Sequence, residues 1–218
     1  VLTELPDKIE QNIILPFNDE EEKLYVANLA EVNKELQELY DLEGSDKMQI
    51  LKLLTRLRQL CLEPRLVYDN IDQPSSKLKA CMELIKTMQE NKQKVLLFSS
   101  FTSVLDLIAE ECQKAGITYY MLTGSTNKED RRELVSRFQK DDTTVFLISL
   151  KAGGTGLNLT SAEAVIHFDP WWNVSAQNQA TDRAYRIGQK NNVQVFNLVM
   201  KDSVEEKIIE LQKRKKEL

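Results

Sequence analysis

Residues 144–158 read TVFLISLKAGGTGLN. The first seven are almost unbroken apolar and β-branched side chains, too few for a helix. A short apolar run of this kind fits a strand buried on both faces. The next eight carry three glycines, which let backbone N–H groups come close to an anion. A buried strand running into a glycine-rich turn points to a parallel α/β sheet. On its own, such a turn is as often structural as phosphate-binding. It is not a P-loop, since G-x-x-x-x-G-K-[ST] occurs nowhere in the chain, and it is not G-x-G-x-x-G.

The same alternation extends in both directions. Runs KVLLFSS (94–100), ITYYML (117–122), AVIHFD (164–169) and VQVFNLVM (193–200) read as strands. Between and after them VLDLIAEECQKAG (104–116), NKEDRRELVSRFQK (127–140), VSAQNQATDRAYR (174–186) and SVEEKIIELQKRKKEL (203–218) have helical periodicity. Gly116 closes the first of these. Sites in open parallel sheets lie past the carboxyl ends of the strands. The loops SSFTS, TGSTN and SLKAGGTGLN are expected there, and all carry hydroxyls, glycine or lysine suited to phosphate.

Upstream the texture is helical. DEEEKLYVANLAEVNKELQELYDLE (19–43) repeats apolar residues at helical spacing, with Asn18 or Asp19 as N-cap and an acidic first turn that suits the helix dipole. Gly44 is expected to stop it, and Ser45 to cap a second helix that ends near Pro64. Residues 69–76, DNIDQPSS, read as a linker. The resulting division is 1–74, helical, and 75–218, α/β.

The chain has 218 residues, 42% hydrophobic and 29% charged, which fits a globular protein of one large or two small domains. No apolar run is long enough to span a membrane. No signal peptide is apparent, so the terminal KKEL reads as a chain end rather than a retention signal. Val1 is not an initiator, and a piece of a longer polypeptide is expected. Cys61, Cys81 and Cys112 lack metal-ligand spacing and read as buried free thiols in a reducing compartment. The net charge of −5 is uneven: residues 1–45 hold 12 acidic and 3 basic side chains, net −9, and the remainder is net +4. A surface for a polyanion should therefore lie beyond residue 45.

QATDRAYRIGQ (179–189) is more specific. On a continuous helix Gln179, Asp182, Arg183 and Arg186 would share an arc of about 100°. Ala176, Ala180, Ala184 and Ile187 would form the adjacent apolar stripe. A bland reading is a solvated face with an Asp182–Arg186 pair. Arg183 lies too near the packed stripe for that, and a guanidinium held there needs an anionic partner. In DPWWNVSAQNQ (169–179) one of Trp171 and Trp172 should be buried and the other available. His167, the only histidine, reads as a buried imidazole. No Ser/His/Asp set, carboxylate pair or metal cluster is apparent, so hydrolysis by this chain's own residues is unsupported.

LLFSSFTSVLDLI, YYMLTGSTNKEDRRELVSRFQ, VFLISLKAGGTGLNLTSAEAVIHFDPWWNVSAQNQATDRAYRIGQK and DSVEEKIIELQKRKKEL together resemble the second RecA-like lobe of the Swi/Snf-type ATPases of helicase superfamily two. LPDKIEQNIILPFNDEEEKLYVANL resembles the segment that joins the two lobes. LLTRLRQLCLEPRLV resembles the family's helical element, although Leu62-Glu63 stands where many members carry Asn-His. The resemblance covers essentially the whole chain. It implies a RecA-like parallel sheet flanked by helices, with an N-terminal helical subdomain.

The resemblance also implies a composite ATPase. ATP and Mg2+ would be bound mainly by an absent first lobe of the same polypeptide. This lobe would bring Arg183 and Arg186 to the γ-phosphate as arginine fingers. Gln179, Asp182, Gly154, Thr155 and Gly156 would lie on the nucleotide side, the last three coupling it to DNA. Ser100, Phe101, Thr123, Gly124, Ser125, Arg131, Ser149, Lys151 and Trp172 would lie along double-stranded DNA. The implied protein is a DNA translocase that remodels chromatin or other protein–DNA complexes. It would work in the bacterial nucleoid, or in the nucleus if eukaryotic, with DNA-bound proteins as further partners. An RNA helicase lobe of DEAD-box type is the nearest rival, but such lobes usually end the last motif in RxGR rather than RIGQ. A non-enzymatic anion-binding or interaction domain is the rival from another class.

Overall fold

The runs expected as strands all form strands, most of them trimmed by a residue or two at the ends, in a computed structural model that describes residues 4–41, 47–152 and 157–217. They are β2 (Val95–Ser99), β3 (Tyr119–Leu122), β4 (Val145–Ser149), β5 (Ala164–His167) and β6 (Val193–Met200). A further strand, β1 (Lys8–Leu15), was not expected. The sheet order is β1-β6-β5-β2-β4-β3, and every pairing is parallel. In β2 and β4 every side chain is buried. Val95, Leu97, Val145 and Leu147 face one apolar core, while Leu96, Phe98, Phe146 and Ile148 face another. Both faces are covered, which is why these runs are apolar without alternation.

The helices are α1 (Asp19–Asp41), α2 (Lys47–Leu62), α3 (Ser76–Glu90), α4 (Thr102–Ala115), α5 (Lys128–Lys140), α6 (Val174–Thr181) and α7 (Val204–Lys216). Their ends follow side-chain chemistry. Asn18 and Glu21 form a reciprocal capping box, with Glu21 N donating to Asn18 Oδ1 at 2.8 Å and Asn18 N to Glu21 Oε1 at 3.0 Å. Asn127 caps α5 and Ser203 caps α7. Gly116 closes α4 at φ 68°, a left-handed conformation that suits glycine. Gly44 and Ser45 lie outside the described residues.

Helices α1 and α2 are not a detached unit. Tyr25, Val32, Leu53, Leu57 and Leu60 join the core formed by α3, α4 and one face of the sheet. Glu63, fully buried, accepts from Ser75 N at 2.8 Å and pairs with Arg65. The glutamate serves as an anchor for the start of α3. Deeper in, Lys77 and Glu205 form an ion pair at 2.6 Å with essentially no exposure. Lys77 Nζ also donates to the carbonyls of Phe168 and Leu198. The pair fastens α3 to α7 and to the sheet. Cys61, Cys81 and Cys112 are buried free thiols, and burial pushes the Cys112 thiol up to about 12.

His167, at the end of β5, is fully buried. Its Nε2 lies 2.9 Å from Thr181 Oγ1, and its ring stacks on Phe98. Burial pulls its pKa down from 6.5 to about 3. The folded pKa is depressed, so the neutral ring's contribution is complete above the unfolded value and is lost as pH falls toward 3. The expected slope from this one group is about 1.4 kcal/mol per pH unit below about pH 6.5. Denaturation of the His167→Phe variant should lack that slope between pH 6 and 4.5; equal slopes in both proteins would refute the assignment.

Candidate functional site

The expected site residues fall into two groups at different places on the sheet. The first is a row over the carboxyl ends of β2, β4 and β3. Pairing aligns Ser99 with Ser149, and Leu150 N donates to Ser99 O at 2.9 Å. The turn after β3 comes alongside: a methyl placed on Gly124 would sit 4.0 Å from Lys151 Cβ. Thr123 Oγ1 and Ser125 Oγ are 2.9 Å apart, and Thr126 Oγ1 accepts from Thr123 N. Lys151, Gly124 and Ser125 are exposed, Arg131 and Phe101 are half-buried, and Ser149 is buried. The row thus presents one lysine, small hydroxyls and a glycine with little bulk.

Ser100 is occupied within the protein. Its N–H donates to Asp169 Oδ1 at 3.1 Å and its hydroxyl to Asp169 Oδ2. Ser99 Oγ also donates to Asp169 Oδ1, at 2.7 Å. Sequence reasoning did not single out Asp169 or Arg58, which donates to Ser100 Oγ at 2.9 Å and meets Asp169 Oδ2 at 3.3 Å. These residues are 111 positions apart, and no local pattern announces their meeting.

The second group is the arginine cluster. Helix α6 leaves the carboxyl end of β5 and returns to the start of β6, as a parallel crossover requires. Arg183 and Arg186 therefore lie at the far end of the crossover from the hydroxyl row; Tyr185 Oη, between them, reaches Pro6 O just before β1. The expectation of one helix through residue 186 is corrected: α6 ends at Thr181 with Asp182 as its C-cap. Tight turns follow, closed by Gly188 at φ 102°. Gln189 pins them, donating to Ala162 O and Ala184 O and accepting from Lys190 N and Asn191 N. Ile187 is consequently 86% exposed, not part of an apolar stripe, while Ala180 and Ala184 are buried.

No ion pair joins Asp182 to Arg186 among the described residues. Arg186 Nη1 instead donates to Leu157 O at 3.0 Å, and Leu159 N donates to Arg183 O at 2.9 Å. The turn is thereby stitched to the segment that follows the glycine-rich stretch. Gly154, Thr155 and Gly156 lie outside the described residues. Gln179 and Asp182 are exposed beside this cluster. Arg183 is 9% exposed, and its Nε has no hydrogen-bond partner among the described residues. Burial and the neighbouring Arg186 push its pKa down, against a smaller opposing pull from Asp182. A buried guanidinium with an unused N–H beside a second cation is a site that an anion would complete.

The two tryptophans separate as expected. Trp171 is 2% exposed and meets Phe98 edge-on; Trp172 is 37% exposed. Trp172 lines an open cavity of about 440 Å³ with Asn173, Val174, Ser175, Lys215 and Lys216. Among the described residues no His, Cys, Asp and Glu cluster could hold a metal, and no helix is long and apolar enough to cross a membrane.

Comparison with known proteins gives a consistent picture. The family model described as "Helicase conserved C-terminal domain" matches residues 76–188. An uncharacterized ATP-dependent helicase of Mycoplasma pneumoniae is 40% identical over 219 residues, which take in 100% of this chain and 21% of that protein. The chain thus spans about a fifth of that curated relative. Among solved structures, the C-terminal part of the Fun30 ATPase domain superposes with a TM-score of 0.83 at 27% identity, covering 95% of this chain and 90% of that one. The Sulfolobus solfataricus SWI2/SNF2 ATPase core in complex with dsDNA gives 0.81 at 34% identity, covering 95% and 44%.

Proposed function

Since the chain belongs to the helicase conserved C-terminal domain family, in its Swi2/Snf2 branch, we propose that it is the second motor lobe of an ATP-dependent double-stranded DNA translocase. Residues 1–74 would be the lobe-linking segment and helical insertion, and 75–218 the motor lobe proper, with β1 completing its sheet. A first lobe of the same polypeptide would hold most of ATP and its Mg2+. The Mycoplasma relative supports a bacterial nucleoid setting, and DNA-bound proteins would be the load.

One observation carries this reading: Arg183 is buried, charged and short of an acceptor at Nε, beside Arg186. The two fit a phosphate oxygen presented from across a cleft. ATP would supply the phosphoryl group whose transfer drives movement. Arg183 would meet the charge that grows on that group in the transition state, when an oriented cation helps most. Arg186, held by Leu157 O, would keep a second guanidinium in place and tie the cluster to the residues after the glycine-rich stretch. Gln179 and Asp182 would border the nucleotide. The row of Lys151, Arg131 and the Thr123–Ser125 hydroxyls would take DNA phosphates, with Trp172 beside the duplex.

The 218-residue chain alone should not hydrolyse ATP, because its sequence has no P-loop and its described residues hold no carboxylate cluster suited to magnesium. The polypeptide with a matching first lobe should turn over ATP, faster with duplex DNA. ATP turnover that follows the isolated chain through gel filtration would overturn the composite-site reading. Lys151→Ala should weaken binding to all duplexes alike and reduce the slope of log K against log salt by about one. A change in sequence preference with an intact slope would mean that Lys151 reads bases instead.

A further inference from the structure

Arg58 lies in α2, within LLTRLRQLCLEPRLV and apart from the expected site residues. Its guanidinium stacks 5.0 Å from the Phe101 ring centre and uses one nitrogen, Nη2, to hold Ser100 Oγ and Asp169 Oδ2. The donors of Ser100 and the Phe101 N–H are consumed inside the protein. Ser100 N–H and its hydroxyl go to Asp169, and Phe101 N–H goes to Ser99 Oγ. Among the described residues, Ser100 and the Phe101 N–H leave an incoming phosphate no free donor, and Thr102 and Ser103 stand exposed at the start of α4, which has no side-chain cap. Arg58 adds donors beside them: among the described residues its Nε and Nη1 have no protein acceptor, and neither is sealed from solvent. Its side chain is 14% exposed, and Asp169, at 1%, is well buried beneath it.

We propose that Arg58 is a DNA-phosphate contact of this lobe, with Ser100, Asp169 and Phe101 as the frame that holds its guanidinium. The inference rests on the reading that the row at the carboxyl ends of β2, β4 and β3 meets the duplex. A guanidinium suits the position because its planar fork can stack on Phe101, bridge two acceptors on one edge and keep other N–H groups for a ligand. The buried carboxylate fixes the cation without covering it. Helix α2 thereby contributes a cation to the DNA track, although the chain's first 45 residues are strongly acidic. Ser100 becomes a positioning residue.

The test is duplex-DNA affinity as a function of salt for the polypeptide containing both lobes, with melting temperature measured alongside. Arg58→Gln should weaken binding to all duplexes about tenfold at low salt and lower the salt slope by about one. Arg58→Lys should keep most of the slope. Ser100→Ala should weaken binding mildly and leave the slope intact. If Arg58→Gln proves unstable because Asp169 is left unpaired, the double variant Arg58→Gln/Asp169→Asn removes both charges and should show the same loss of slope. An unchanged slope in a folded Arg58 variant, with Lys151→Ala still lowering it, would overturn this inference alone. If neither Arg58→Gln nor Lys151→Ala altered DNA binding, the DNA-track reading itself would fall, and this inference with it.

Discussion

In the polypeptide containing both lobes, Arg183→Ala should lower DNA-stimulated ATP turnover by about a thousandfold, the lower end of the effect of one arginine finger in GTPases. Arg183 is the group held buried with an unused N–H, so on the arginine-finger reading its substitution would remove an interaction made chiefly in the transition state. Arg186 is partly used by Leu157 O, and Arg186→Ala should cost less than Arg183→Ala. ATP affinity should change little in either variant, because on this reading ground-state binding would fall to the other lobe. Arg183→Lys should recover little, since an ammonium cannot span two phosphate oxygens. The competing view, a surface salt-bridge cluster, predicts at most about 1 kcal/mol of stability and normal turnover. Measuring kcat and Tm on the same variants decides between them, and normal kcat in the folded double variant would end the arginine-finger assignment.

Lys77→Met should destabilise the fold by about 3–5 kcal/mol, the cost typical of removing one partner from a buried ion pair. The loss strands the Glu205 carboxylate, together with the carbonyls of Phe168 and Leu198 that Lys77 also satisfies. For a chain of this size the melting temperature should fall by on the order of 10 °C. Adding Glu205→Gln should restore part of the loss, because the carboxylate charge is then gone while Met200 N keeps an acceptor. Thermal denaturation of the single and double variants measures this. A drop of only a degree or two in Lys77→Met would show that water reaches the pair.

The sequence by itself determined what short-range chemistry controls. Runs such as Val145–Ser149 are apolar at every position, so a parallel sheet covered on both faces was legible without coordinates. Asn18 and Gly116 announced helix ends because a cap acts over three or four residues. The split between Trp171 and Trp172 and the burial of His167 followed from the same local reasoning. Helix α3 was also within reach: Ser75 caps it, and Leu78, Cys81, Met82 and Ile85 repeat at helical spacing. The linker reading of 69–76 overlaps its cap, Ser75, and its first residue, Ser76.

The tertiary structure decided the rest. Lys8–Leu15 is a strand because β6 offers it a parallel edge, from Lys8 opposite Val193 to Leu15 opposite Met200; its own burial pattern is mostly exposed. Helical periodicity through Arg186 was real in the sequence, yet α6 stops at Thr181. The side chain of Gln189 takes the carbonyls of Ala162 and Ala184, and that bond depends on where the chain has already been led. Arg183 was suspect from its neighbours, but only packing showed an N–H left without a partner. Arg58 with Ser100 and Asp169, and Lys77 with Glu205, join residues 42 to 128 positions apart. Charges at such separations meet only when sheet order and crossovers bring them together, and there the exclusion of water makes their pairing matter.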